Sequence, residues 1–525
     1  MDMLLDKTKS ALIAGFSGLI TCCIAAAIAL KLVAYEHGVT SSLAARFAFA
    51  TPVKRWPIGM QFYAALSIAF GIGVSWLLWI VVANHRWTVR PRRLHSAESA
   101  ADLAAKSAPP TQPRIFGGKY GGKQFFVSIE DRGLVIGPPG TGKTAFLFNQ
   151  ILRVMKTGLS FVAIDLKPEL HKTLASSLIK EGYRVLRVNP AIADPDADHW
   201  NPLADITDEI DIAEMCASLL PIREPREAPF VESQRDWLKA AVFHVSASSG
   251  GSLPAAFNLL SSSPDPLRIL DLLGRSSNPT AARLARRIAA GLAGTKPDPL
   301  ILQGLTGALR SLDYLGLSGV QDALGHSDFS AHELGKGEQP TALFLQFEES
   351  KINALGPLLA FMATGVLTAL IDTAGQRKPV ALFLDELGNM PPIPNLPEKL
   401  NTIRSRHIPT WMYFQTSEQM NTGYGKGADS TFFASSDMQM VFRLNDQNTR
   451  ELISKLIGTT YREKISQSRG GGQGTRTRSL EQVNVIEPYQ LGQLGVGEVV
   501  TLYRGAAAKG RATPHYIDFP VFRRK

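Results

Sequence analysis

Gly137-Pro138-Pro139-Gly140-Thr141-Gly142-Lys143-Thr144 follows the apolar run Leu134-Val135-Ile136 and fits the spacing G-x-x-x-x-G-K-[ST]. The order reads strand, glycine loop, helix, with the helix running from about Lys143 to Val154. Glycines let the backbone curl so that successive N–H groups point inward, and the helix aims the positive end of its dipole at the same point. Such a cradle suits a nucleoside triphosphate. Lys143 would lie along the β- and γ-phosphates, and the Thr144 hydroxyl would take one position on Mg²⁺. ATP and Mg²⁺ are therefore the expected cofactors. A glycine-rich turn with a surface lysine is the plain alternative, and the flanking strand and helix argue against it.

Beyond this loop, short apolar runs alternate with helical patterns. Phe161-Val162-Ala163-Ile164 ends in Asp165, and Val185-Leu186-Arg187-Val188 ends in Asn189-Pro190. That alternation predicts parallel strands joined by crossover helices, a doubly wound α/β sheet. From about Asp205 to Lys336 the strand signal stops. Helical stretches at Ile210–Leu220, Gln234–Ser246, Pro266–Leu273, Thr280–Leu292 and Leu300–Leu312 follow, separated by Ser, Pro and Gly clusters. An all-helical insertion over residues 205–336 is expected, splitting the nucleotide domain into 115–204 and 337–525. The sheet resumes at Thr341–Leu345 and Val380–Leu384, with further strands at Thr410–Phe414, Met438–Leu444 and Glu498–Tyr503.

The run Val380–Leu384 ends in Asp385-Glu386. A buried strand closing on two adjacent carboxylates has a chemical reason in a P-loop enzyme: Asp385 would hold the Mg²⁺ shell and Glu386 would polarise the attacking water. A strand simply emerging into solvent is the alternative. Gln415 closes the strand Trp411–Phe414, where an amide can sense the γ-phosphate or orient the water. Arg404 is a candidate arginine finger for a neighbouring subunit, Arg406 is its rival, and a surface salt bridge suits either.

Lys plus Arg outnumber Asp plus Glu by 56 to 46, a formal charge of +10 over 525 residues, which favours an anionic partner such as nucleic acid or a membrane surface. The clearest basic segments are Arg469-Gly470-Gly471-Gly472-Gln473-Gly474-Thr475-Arg476-Thr477-Arg478, a flexible loop or hairpin tip, and the group Arg283, Arg286, Arg287, which a solvated helix face would also explain. Three cysteines, Cys22, Cys23 and Cys216, make neither a disulfide framework nor a metal site, so zinc is not expected and a reducing compartment fits.

Ala11 to Leu30 carries no charge over 20 residues, enough for a helix of roughly 30 Å that crosses a bilayer core. Lys7, Lys9 and Ala25-Ala26-Ala27 also suit a cleaved secretory signal. A second uncharged stretch, Trp56 to Asn84, with Trp56, Trp76, Trp79 and Trp87 where interfacial aromatics would sit, favours a transmembrane hairpin over residues 1–93. Arg86, Arg90, Arg92 and Arg93 then hold the following body on the cytoplasmic side. Leu94 to Arg114, rich in Ala, Ser and Pro, reads as a linker.

These residues together resemble a known family. The two-span hairpin, the P-loop, Ile164-Asp165-Leu166-Lys167-Pro168-Glu169, Trp200-Asn201-Pro202-Leu203 before a helical insertion, Leu384-Asp385-Glu386, Gln415-Thr416-Ser417-Glu418-Gln419-Met420, and the segment from Ile486-Glu487-Pro488 to Leu491-Gly492-Gln493-Leu494 look like a type IV secretion coupling protein of the TraG/TraD class. The resemblance implies a RecA-like P-loop ATPase anchored in the bacterial inner membrane as a homo-hexamer. It implies single-stranded DNA with its relaxase, effector proteins, or both as cargo, delivered to type IV channel components. It also assigns Asp385 to the metal, Arg404 to the finger and Gln415 to the γ-phosphate sensor. An FtsK/HerA-like DNA translocase and a nucleotide-binding membrane scaffold with little turnover are the competing readings.

Overall fold

The computed structural model describes residues 97–522, apart from positions 207, 223, 249, 294–295 and 469–474, together with five isolated positions nearer the N-terminus. The two uncharged stretches at 11–30 and 56–84 lie almost wholly outside the described residues. Residues 91–525 form one unit, distinct from residues 1–90.

Thirteen strands are described: β1 (Arg114–Tyr120), β2 (Lys123–Ser128), β3 (Gly133–Ile136), β4 (Ser160–Asp165), β5 (Arg184–Val188), β6 (Thr341–Gln346), β7 (Val380–Leu384), β8 (Thr410–Phe414), β9 (Met438–Val441), β10 (Thr459–Ser468), β11 (Thr475–Asn484), β12 (Glu498–Tyr503) and β13 (Ala506–Arg511). Eleven of them make one sheet in the order β2-β1-β13-β12-β9-β3-β8-β7-β4-β6-β5. From β9 to β5 every neighbouring pair is parallel. From β9 outward through β12, β13, β1 and β2 every pair is antiparallel.

The central strands are apolar at nearly every position because both faces of the sheet are covered. Alternate residues feed two cores. Leu134, Ile136, Leu382, Leu384, Met412 and Phe414 enter one, and Val135, Ala381, Phe383, Trp411 and Tyr413 enter the other. The second core is closed by the helices Lys143–Thr157 and Glu169–Lys180. Trp411 lies so close to the neighbouring strand that a Cβ on Gly133 would sit 2.4 Å from its ring, so glycine is the side chain that fits there.

The first core runs without a break from the sheet into the helices between β5 and β6. Those helices are Glu209–Leu219, Ala228–Ser246, Leu253–Leu260, Pro266–Gly274, Pro279–Leu292, Pro299–Ser311 and Ser318–Gly325. Asp265, Asn278 and Asp298 each cap a helix whose first residue is proline, which sets the turn geometry and satisfies an otherwise orphaned N–H. Helix Ile352–Asp372 was not legible as a separate element. It is buried from Leu358 through Leu370 between the sheet and the helical segment. Among the described residues, the one helix long and apolar enough to cross a membrane includes this segment, and its burial marks it as a core helix.

Three expectations need correction. Within the stretch read as a linker, Ala97–Ala105 is a helix with Leu103 fully buried against the antiparallel strands, because its alanines favour helix and its one leucine finds a core. The strand expected over Met438–Leu444 ends at Val441, just after which Phe442 N–H still donates to the Ile136 carbonyl at 2.8 Å. The P-loop helix continues past Val154 to Thr157, where Gly158, at φ +68°, terminates it. The hairpin β1–β2 turns through Gly121 and Gly122, both at positive φ, as a tight two-residue turn requires.

Candidate functional site: a phosphate loop facing two acids

Strand β3 delivers Gly137 to the carboxyl edge of the sheet. Gly137 N–H donates to the Phe414 carbonyl at 3.1 Å. A Cβ at Gly137 would stand 2.6 Å from Cβ of Phe442, so the loop passes through a space that only a glycine clears. Gly140 and Gly142 take φ values of +77° and +107°, which turn the chain back into the helix at Lys143. The loop is braced from within by Thr141 Oγ1, donating to the Pro138 carbonyl at 2.8 Å. It is braced from outside by Gly497 N–H, donating to the Thr141 carbonyl at 3.0 Å. The closing segment of the chain thus packs on the phosphate loop, a role its sequence does not announce.

Strand order brings the acids to this loop. β8 lies between β3 and β7, with Ile136 level with Phe414, and Leu384 level with Met412. Asp385 and Glu386 therefore leave β7 at the same edge where Gly137 leaves β3 and Gln415 leaves β8. Electrostatics agree with the geometry. Burial pushes the Lys143 ammonium below its ordinary value, and the nearby Glu386 and Asp385 carboxylates oppose that shift. Lys143 Nζ donates to the Phe414 carbonyl at 3.1 Å. Burial, reinforced by the adjacent Glu386 charge and opposed by Lys143, pushes the Asp385 carboxyl up to about 7.

Glu386 is held in a closed polar ring. Its Oε2 accepts from Gln415 Nε2 at 2.9 Å and from Asn389 Nδ2 at 3.1 Å. Gln419 Nε2 donates to Asn389 Oδ1 at 3.0 Å, and Gln419 Oε1 accepts from Gln415 N–H at 2.8 Å. Glu386 itself sits at φ +50°, left-handed backbone that costs a non-glycine residue about 1 kcal/mol. Hydrogen bonds to a buried charged acceptor contribute roughly 1.5–3 kcal/mol each, enough to hold that conformation. Asn389 and Gln419 were missed as functional residues. Gln419 stood in a quoted motif, four residues after Gln415, and helical spacing was the only signal of its role.

The structure brings Lys143, Asp385, Glu386 and Gln415 together and places Thr144 in the first turn of the P-loop helix. It does not bring Arg404 to them. Arg132, at the opposite end of β3 from the loop, donates to the Leu400 carbonyl at 2.9 Å and to Asn401 Oδ1 at 3.2 Å. The last turn of helix Leu396–Ser405 therefore lies at the far edge of the sheet, with Arg404 exposed. Arg406 is also exposed. Of the basic group in the helical segment, Arg287 pairs with Asp236 across two helices, while Arg283 and Arg286 are exposed. Of the basic run at 469–478, Thr475–Arg478 lies in β11 and pairs with Ile465–Ser468 of β10, and 469–474 lie outside the described residues.

The residues present fit a metal-bound triphosphate. The loop is a cradle that a Cβ would fill, and the Asp385 carboxylate and Thr144 hydroxyl are hard oxygen donors of the kind Mg²⁺ prefers. Fold and site define a P-loop α/β protein with a strand inserted between the loop strand and the acid strand.

The chain belongs to the family described as type IV secretory system conjugative DNA transfer, which it matches over residues 104–518. It is 22% identical over 433 residues to protein VirD4 of Rhizobium radiobacter, an alignment covering 78% of this chain and 61% of that relative. It is 26% identical over 206 residues to a probable conjugal transfer protein TraG of Sinorhizobium fredii, covering 38% of this chain and 32% of that protein. Among solved structures, the plasmid coupling protein TrwB in complex with ADP and Mg²⁺ superposes with a TM-score of 0.64 at 18% identity, covering 81% of this chain and 93% of that one. TrwB in complex with the non-hydrolysable ATP analogue ADPNP gives the same TM-score, covering 81% and 94%. At that identity the likeness is one of fold.

Proposed function

We propose that this chain is an ATP-hydrolysing coupling protein that recruits a relaxase-bound single DNA strand, an effector protein, or both, and drives the cargo into a type IV channel. Membership of the conjugative DNA transfer family supports the class of process, and the TrwB complexes support ATP and Mg²⁺ as the ligands. The observation that carries the reading is the convergence of Lys143, Asp385, Glu386 and Gln415 on one sheet edge. In this reading the chain is anchored by two N-terminal spans with its body in the cytoplasm, and it works as a homo-hexamer.

The side chains then divide the work. Backbone N–H groups of residues 140–143 and the Lys143 ammonium receive the phosphates. Asp385 and Thr144 would hold Mg²⁺, which when bound neutralises charge developing on the phosphates. Glu386 accepts a proton from the attacking water, and the Gln415 amide orients its carboxylate and reaches toward the γ-phosphate. Arg404 of a neighbouring copy would supply positive charge from outside. The helical segment at residues 205–336 would form a domain that meets the cargo.

The test is phosphate release by the full-length chain with Mg-ATP, with and without single-stranded DNA, alongside a mating assay for plasmid transfer. Release that DNA stimulates and that Lys143→Ala abolishes, together with loss of transfer, is expected. Absence of release from the assembled wild-type chain would reject the motor.

A further inference from the structure

The two backbone segments that join the helical insertion to the sheet meet at a cluster of nitrogen and oxygen donors remote in sequence from each other. His199 precedes the first helix of the insertion, and His326 and Asp328 follow helix Ser318–Gly325. The imidazoles of His199 and His326 stack with centroids 4.2 Å apart and planes 27° from parallel. His199 Nδ1 lies 2.7 Å from Asp328 Oδ2. One donor atom each from His199, His326 and Asp328 falls within 4.8 Å of the other two. From these donors we infer a divalent transition-metal site, of the kind that takes Zn²⁺, which staples the two neck segments of the helical insertion.

The backbone holds these side chains in place before any ion arrives. His199 N–H donates to Asp328 Oδ2 at 2.9 Å, and Asp328 N–H donates to the His199 carbonyl at 2.9 Å. Next door, Trp200 N–H donates to the Ala323 carbonyl at 2.8 Å, and Asn201 N–H donates to Ser327 Oγ at 2.9 Å. Trp200 is fully buried and stacks on Phe329 with centroids 5.9 Å apart, so both segments are anchored in the core beneath the cluster. Only the outer side chains must adjust. A tetrahedral ion with bonds of about 2.0–2.2 Å sets its donors a little over 3 Å apart, about an ångström and a half closer than the widest separation here. His326 and Asp328 are exposed, so the imidazole stack can open and the His199–Asp328 hydrogen bond can give way to the ion.

The chemistry selects the ion. Two imidazoles and a carboxylate suit Zn²⁺, Co²⁺ or Ni²⁺, whereas Mg²⁺ and Ca²⁺ prefer an all-oxygen shell. Asp322 Oδ2 stands 3.5 Å from His199 Nε2. An ion would displace the proton that Nδ1 shares with Asp328, and Asp322 would then accept from Nε2–H and hold the ring with Nδ1 toward the ion, as carboxylates behind histidine ligands commonly do. With Asp322 and Asp328 ionised, the two carboxylates balance a dication. Cysteine spacing carries no trace of this site, and more than a hundred residues separate its histidines in sequence.

The experiment uses the full-length chain in detergent with excess Mg²⁺, which occupies oxygen-only sites. Equilibrium dialysis against Zn²⁺ should load one ion per chain, and Co²⁺ should give the visible absorption of a four-coordinate site. His326→Ala and Asp328→Asn should each weaken Zn²⁺ binding at least tenfold and remove the Co²⁺ band. Lys143→Ala, which disables only the phosphate loop, should leave both unchanged. Hydrogen exchange at residues 199–201 and 326–331 should slow when Zn²⁺ is added. No stoichiometric Zn²⁺ on the wild-type chain, or uptake and a Co²⁺ band that survive His326→Ala, would overturn the site.

Discussion

Gln415 Nε2 donates to Glu386 Oε2 at 2.9 Å, joining the residue that closes β8 to the second acid after β7. The bond crosses between neighbouring strands at the edge where the phosphate loop begins, and with the Asn389 amide it aims the Glu386 carboxylate. Glu386→Gln keeps the shape and removes the base. Turnover is expected to fall by about 10²–10⁴-fold with nucleotide affinity unchanged, measured by phosphate release and by equilibrium binding of a non-hydrolysable analogue. Gln415→Ala should cost about 10²-fold in the same assay.

Gly388 is where the ring can be broken without touching an acid. A Cβ there would lie 2.3 Å from Gln419 Oε1 and 2.8 Å from Gln419 Cβ, so alanine at 388 must expel the Gln419 side chain. Gly388→Ala should slow turnover and lower stability by about 1–3 kcal/mol, as overpacking does. Gln419→Ala should slow turnover to a similar degree, and adding it to Gly388→Ala should cost little more. An additive double mutant would show that the two changes act separately.

The position of Arg404 on the far sheet edge makes a subunit-mixing experiment decisive. Arg404→Ala alone should leave nucleotide binding intact and lower turnover by about 10³-fold. Mixed with Glu386→Gln subunits, it should recover part of the activity, because some sites then pair an intact acid with an intact arginine. Mixtures as inactive as either parent would remove Arg404 from the reaction.

Asp518 ties the C-terminal segment to the back of the phosphate-loop helix. Its carboxylate accepts from Lys119 Nζ at 2.5 Å, Arg153 Nη2 at 2.7 Å and Asn149 Nδ2 at 2.9 Å. Burial alone would raise this carboxyl, and the donors from Asn149, Lys119 and Arg153 outweigh it and hold the group below 3.8. The folded chain therefore binds its proton more weakly than the unfolded chain does. The stabilisation is complete above about pH 4 and drains away as pH falls through the depressed folded value. Asp518→Asn, which strands Arg153 and Lys119, should cost about 3 kcal/mol near neutrality. Its urea midpoint should approach that of the wild type in acid.

Elements whose causes lie within a few residues were legible from the sequence. The glycine loop, the strands leading to Asp165 and Asp385, and five of the insertion's helices, to within a few residues, follow from periodicity and turn chemistry among near neighbours. Helix Ile352–Asp372 escaped because it is buried on all sides and so carries no amphipathic period. Strand β1 escaped because its pairing with β13 spans nearly the whole length of the domain, and β2, at the sheet edge, pairs with β1 alone.

The sequence by itself determined which residues are candidates for phosphate chemistry, since a lysine after a glycine loop and paired acids after an apolar strand have few other uses. Tertiary structure decided how they meet: β8 between β3 and β7, Asn389 and Gln419 around Glu386, Arg404 turned to the other edge, and His199 beside His326. Each of these depends on strand order or on contacts between distant segments. Such contacts are selected by the burial of whole surfaces rather than by any local pattern, so a one-dimensional reading has no access to them.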